Sequence, residues 1–187
     1  MKYILILALF LTGCSGGSGG GSSPKTGVTV FCDSIGYTNI ANGATGFPYL
    51  LKDLISEKVW SDCRPGATLS SYDVQGTINK ALIANKYKYG IIALGGNDIL
   101  QGKYLGDVLD EYERNLKVIA DSGMEPVCLI YPYSTVAKDK VNPLNDGIKF
   151  ICEGYKTIQA SDQLWDGIHP TNAGSMETAE RIWGALY

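Results

Sequence analysis

The 187-residue sequence holds a single histidine, His169. With one histidine and no Cys/His cluster at metal-ligand spacing, a zinc centre is not expected, and nothing calls for a cofactor. Positive charge is also short. Sixteen Lys and Arg stand against nineteen Asp and Glu, for a net charge of −3. Nothing in that balance points to nucleic-acid binding or to a polybasic patch for an anionic membrane surface. Nor is any apolar run long enough to span a bilayer, which takes ~20 residues; the unbroken run 3–11 stops short of that. What is present is ordinary: 45% hydrophobic residues, enough for one domain with a real core.

The run 3–11 follows Met1-Lys2, a short positive start, and has the form of a secretory signal. Its end, Leu11-Thr12-Gly13-Cys14, resembles the lipobox of bacterial lipoproteins. The resemblance implies cleavage before Cys14 and acylation of its thiol and amine; the alternative is a plain signal peptide with an incidental cysteine. Ser15 to Pro24 is Gly/Ser-rich, a flexible tether that reaches roughly 15–20 Å on average. The expected organisation is therefore a signal segment over 1–13, an acylated Cys14 and tether over 14–25, and a folded domain over 26–187. Such a protein sits in a bacterial cell envelope. Its place is the outer membrane facing the periplasm in a Gram-negative host, or the outer face of the cell membrane otherwise.

Within the domain, the apolar run 28–31 reads as a strand, 89–94 as a strand buried on both faces, 126–131 as a further buried strand, and 59–63 and 156–160 as shorter ones. Between them, helical spacing recurs over 47–55, 72–86 (with Gly76 a blemish), 105–121, 148–155 and 173–187. Residues 132–145, with two prolines and Lys138-Asp139-Lys140, read as irregular and as a lid or specificity wall. Alternating strands and helices predict an α/β sandwich, a parallel sheet covered by helices on both faces. Export in a Gram-negative host permits disulfides; Cys32, Cys63, Cys128 and Cys152 allow three pairings, of which Cys32 with Cys63, both at strand ends, is preferred, and buried free thiols stand equally open.

Chemistry gathers at strand ends. Ser34, in Phe31-Cys32-Asp33-Ser34-Ile35-Gly36, follows the first strand on a tight turn, as an exposed nucleophile would. A serine needs a base of near-neutral pKa, and His169, three residues after Asp166, is the sole candidate. Gly66 and Asn97 lie at two further strand ends, though alone each also reads as a turn residue. Asp98 is expected to hold its loop by hydrogen bonding. Trp165, Tyr131 and Tyr133 are assigned to core packing before pocket lining. An α/β-hydrolase elbow is set aside, because it wants glycine two residues before the serine, where Cys32 stands.

Taken in order, Cys32-Asp33-Ser34-Ile35, Arg64-Pro65-Gly66-Ala67-Thr68, Gly95-Gly96-Asn97-Asp98 and Asp166-Gly167-Ile168-His169-Pro170 resemble the SGNH hydrolases, also called GDSL-type esterases and lipases. The resemblance spans residues 26–187. It implies a three-layer α/β/α sandwich around a mainly parallel five-stranded sheet of flavodoxin-like form. It also implies Ser34 as nucleophile, His169 as base and Asp166 as its partner, with oxyanion donors from the Ser34 N–H, the Gly66 N–H and the Asn97 amide. Cys32 replaces the usual glycine before Asp-Ser, which a strand end tolerates unless positive φ is required. The implied activity is a membrane-anchored, monomeric serine esterase. Its implied substrates are short-chain esters, O-acetylated carbohydrates, lysophospholipids or thioesters; the absence of a long insertion to bury a fatty chain favours small acyl groups, and proximity to lipid favours the opposite. A catalytically silent lipoprotein that binds an envelope glycan or protein partner is the alternative, and a purely structural envelope protein a third reading.

Overall fold

The structure, a computed structural model, describes residues 26–37, 43–84 and 86–187. The signal segment, Cys14, the tether and part of the loop after Ser34 lie outside the described residues.

Five strands, β1 (Val28–Cys32), β2 (Val59–Cys63), β3 (Tyr89–Ala93), β4 (Glu125–Ile130) and β5 (Lys156–Gln159), form one sheet in the order β2-β1-β3-β4-β5, parallel throughout. The central strands carry the continuous apolar runs, and every residue of β1 and β3 is buried. Among the described residues six α-helices connect and cover them: α1 (Phe47–Leu54), α2 (Val74–Ala84), α3 (Gly96–Leu100), α4 (Leu105–Asp121), α5 (Lys138–Ile151) and α6 (Asn172–Leu186). Helix α1 packs on α6, while α2, α3 and α5 all pack against α4 or one another, giving two layers around the sheet. In α4 the buried positions Val108, Tyr112, Asn115, Leu116 and Ile119 follow the helical repeat.

Register decides where the site forms. Cys32 pairs with both Cys63 and Ala93, so β1, β2 and β3 end level on one rim. After β1 the chain turns to one face of the sheet, and after β3 to the other. The divergence opens a crevice at the β1/β3 boundary, where ligands bind in doubly wound sheets.

Several expectations are corrected. The helix placed at 148–155 starts at Lys138 and stops at Ile151, so most of the segment expected to be irregular is helical. Pro143 lies inside it, exposed, and forfeits only one backbone bond. Val141, Leu144, Asn145 and Ile148, at helical spacing, hold the helix to the core. Gly95-Gly96-Asn97-Asp98, expected as a turn after β3, lead instead into α3, Gly96–Leu100. The Gly76 blemish has a cause: its N–H caps on the Asp73 carboxylate at 2.8 Å, which a Cβ there would overrun. Cys32 and Cys63 form a disulfide, and so do Cys128 and Cys152, so the free-thiol reading fails for all four. Trp165 and Tyr133 are 49% and 42% exposed and are not core. The Trp165 N–H bonds back to the His169 carbonyl in a surface turn, and the Tyr133 ring lies under the Lys149 ammonium. Tyr131 is buried as expected. No helix among the described residues is long and apolar enough to cross a membrane.

Candidate active site

Ser34 opens a single 3-10 turn, Ser34–Gly36, at the end of β1. Asp33 caps that turn, its Oδ1 accepting the Ile35 N–H at 3.0 Å, and the Asp33 N–H is fastened to the Ala93 carbonyl of β3 at 3.2 Å. Cys32 remains in ordinary strand backbone, and no non-glycine described residue has positive φ. Glycine's conformational freedom is thus not needed at position 32, and the Cys32 thiol is absorbed by Cys63.

His169 arrives from the loop before α6. Its Nε2 lies 3.0 Å from Ser34 Oγ, and its Nδ1 lies 2.7 Å from Asp166 Oδ2. Because an ionised carboxylate only accepts, Asp166 assigns the proton to Nδ1 and leaves Nε2 free to accept the serine hydroxyl. Partial burial pulls the Asp166 pKa up, but the His169 N–H, the imidazole and the Ile168 N–H outweigh it and hold the carboxyl below its usual range. The turn that shapes this pair needs Gly167, whose φ is +82°. It is tied to the rest of the molecule by Ser134, whose hydroxyl donates to the Gly167 carbonyl at 2.7 Å and accepts the Ala137 N–H at 2.9 Å.

Asn97 stands on α3, and its Nδ2 donates one hydrogen to the Ala67 carbonyl at 2.9 Å. An amide nitrogen carries two, so the second remains for the cavity. Asp98 is not in a loop but buried on α3, and it fastens a neighbouring loop instead, accepting the Leu69 N–H at 2.8 Å and pairing with Lys103 at 2.7 Å. Gly66 is placed differently from the rest. It occupies the exposed turn closed by the Ala67 N–H on the Arg64 carbonyl, with φ +76°, and is not among the residues lining the cavity that Ser34, Asn97 and His169 share. Its glycine is accounted for by that turn. The cavity measures about 90 Å³, and Ile35, Leu100, Val141 and Ile168 supply apolar walls.

Along its wall runs a largely buried network that the sequence reading did not find. Asp33 is 2% exposed, and its Oδ2 accepts the Tyr131 hydroxyl at 2.7 Å. That hydroxyl in turn accepts the Gly96 N–H at 3.0 Å. Burial pushes the Asp33 pKa up to about 6, against the pull of the Ile35 N–H, the Tyr131 hydroxyl and His169; Asp98 adds to the rise. Burial, reinforced by the neighbouring Asp33 charge, raises the Tyr131 phenol well above its ordinary value. One available signal was that a tyrosine at the end of a buried strand must find a partner for its hydroxyl.

No protein-family model matches the sequence, and no curated protein matches it. Solved structures do. The chain is similar to a G-D-S-L family protein from Desulfitobacterium hafniense DCB-2, at 14% identity over 87% of this chain and 100% of that one, with a TM-score of 0.74. It is similar to an acetyl xylan esterase at 11% identity, over 86% and 100% of the two chains, with a TM-score of 0.71. The psychrotrophic esterase EstA from Pseudoalteromonas sp. matches at 13% identity over 87% and 97%, with a TM-score of 0.69. The fold of this chain is the SGNH/GDSL hydrolase fold, with the five-stranded parallel sheet that the resemblance implied.

Proposed function

We propose that this domain, folded as the SGNH/GDSL hydrolases are, is a serine ester hydrolase working through an acyl-enzyme. The observation that carries the reading is the unbroken line from Ser34 Oγ through His169 to Asp166, at 3.0 and 2.7 Å, facing a cavity. In the proposed reaction His169 Nε2 takes the Ser34 proton as Oγ attacks the ester carbonyl. Asp166 stabilises the imidazolium that results. The negative charge on the former carbonyl oxygen is met by the free Asn97 N–H and by the Ser34 N–H, an orphan donor at the start of its turn. Gly66, which the resemblance gave as a third donor, does not line the cavity and takes no part in this step. His169 then returns the proton to the leaving alcohol, and water repeats the sequence to free Ser34.

The substrate reading is a small acyl group. A cavity of about 90 Å³ with apolar walls has room for an acetyl or similarly short chain and falls well below the ~300 Å³ and upward of drug-sized pockets. The solved acetyl xylan esterase of the same fold is consistent with this. Hydrolysis of p-nitrophenyl acetate, butyrate and decanoate tests it, with Ser34→Ala and His169→Ala alongside. Turnover of the acetate and butyrate, little of the decanoate, and losses of several orders of magnitude in both variants are expected. A folded wild type that is inert on all three and fails to react with a fluorophosphonate at Ser34 overturns the proposal.

Residues 1–25 support placing the domain at a bacterial membrane surface by acyl chains on Cys14. Two or more chains anchor stably where one does not. Mass spectrometry of the detergent-extracted protein tests this, since Cys14→Ser should release the protein to the soluble fraction.

A further inference from the structure

The two halves of the proposed oxyanion site come from different elements. Ser34 follows β1, and Asn97 stands on α3 after β3. The strands hold register as far as Cys32 and Ala93, and one further backbone bond, Asp33 N–H to Ala93 C=O, fastens the turn. Beyond it the two chains part to opposite faces of the sheet. Yet the gap between a serine N–H and an asparagine amide must be held to a few tenths of an ångström if both are to reach one oxyanion.

We infer that Tyr131 is a positioning residue whose hydroxyl, held between the Asp33 carboxylate and the Gly96 N–H, sets the spacing between the nucleophile turn and the Asn97 helix. The inference rests on the hydrolase reading above. Each anchor stands one residue before a functional group, Asp33 before Ser34 and Gly96 before Asn97. The bridge is short on both sides, 2.7 Å to Asp33 Oδ2 and 3.0 Å from the Gly96 nitrogen.

Tyr131 is itself fixed. Its N–H donates to Asn145 Oδ1 at 3.1 Å, and its carbonyl accepts from Asn145 Nδ2 at 3.0 Å and Gln159 Nε2 at 2.8 Å. Asn145, fully buried on α5, thus stands in for a strand partner and carries β4 one residue past its end. The ring lies flush on Gly96: a Cβ there would come within 2.7 Å of Tyr131 Cε1. Packing alone would be served by phenylalanine. The hydroxyl adds one distance that cannot vary without leaving a buried carboxylate or N–H unsatisfied.

A double-mutant cycle in the full chain separates positioning from packing. Tyr131→Phe should lower kcat for p-nitrophenyl acetate by about 10- to 100-fold, as misplacements below 1 Å do, with KM within about twofold. In an Asn97→Ala background the same change should cost less than about threefold, because the group it positions is gone. Asp33→Asn, which keeps the shape and removes the charge, should follow the same pattern and serves if Tyr131→Phe fails to fold. An unchanged kcat in Tyr131→Phe overturns the inference, as does an equal loss in both backgrounds. A wild type inert on every ester overturns the hydrolase reading instead. The spacer is then judged by nuclear resonance, where Tyr131→Phe should move the Asn97 side-chain amide signals, and unmoved signals overturn it.

Discussion

Asp33→Asn exchanges a buried carboxylate for a neutral group of the same shape, and so measures what ionised Asp33 costs the folded protein. Its pKa is raised by burial from 3.8 to about 6. A carboxyl raised on folding binds its proton more tightly in the folded state, so it penalises folding as pH climbs through that interval. The penalty is absent well below 3.8, grows between 3.8 and 6, and is constant above. At 1.36 kcal/mol per unit it reaches about 3 kcal/mol, of which about 2.5 kcal/mol develops between pH 4 and pH 8. Asparagine also disturbs the contacts with Ile35 and Tyr131, a loss that does not vary with pH. The informative quantity is therefore the change in the Tm difference between variant and wild type. Going from pH 4 to pH 8, the variant should gain about 5–10 °C on the wild type for a domain of this size. Calorimetric melts of both proteins at intervals of half a pH unit supply the curve. A difference that is flat across the range would mean that Asp33 ionises as freely folded as unfolded, and would refute the argument from burial.

Asp166→Asn keeps the shape of the pair but frees the imidazole tautomer, and kcat for p-nitrophenyl acetate should fall by about 10³- to 10⁴-fold with Tm nearly unchanged. Asn97→Ala should reduce kcat by about 10²- to 10³-fold with KM little altered, the signature of a donor used in the transition state. Replacing Cys128 and Cys152 together by serine opens a loop of 24 residues' separation and should cost about 3.5 kcal/mol in chemical denaturation, while the folded fraction keeps its turnover. Gly36→Ala would place a Cβ 2.4 Å from Cys32 Sγ and 3.0 Å from Cys63 Sγ and Phe47 Cε1, under the nucleophile turn. It should lose about 1–3 kcal/mol of stability and most of its activity, measured by melting and ester turnover.

The strands and the long helix α4 could be read from periodicity because burial on one or both faces writes itself into neighbouring residues. Helix α5 could not be placed the same way. Pro143 and the Lys138-Asp139-Lys140 triplet look like a loop, and only contact with the sheet and α4 shows that the face they occupy is the solvent face. Trp165 and Tyr133 misled for the opposite reason, since aromatic identity predicts burial and surface turns overrule it. Gly66 carried two compatible explanations, a turn needing positive φ and an oxyanion donor, and the first is sufficient for the residue.

What the sequence by itself determined is local: the five strands, the strongly periodic helices, and that Asp166 and His169, three residues apart, meet in one turn. The contacts that make a site are not local. Ser34 meets His169 across 135 residues, and Asp33 meets Tyr131 across 98. Those distances close only because the strand order β2-β1-β3-β4-β5 brings the ends of β1, β3 and β4 side by side on one rim. Strand order is chosen by the burial of the whole sheet between its helix layers, a sum over many weak apolar contacts that no single stretch of sequence displays.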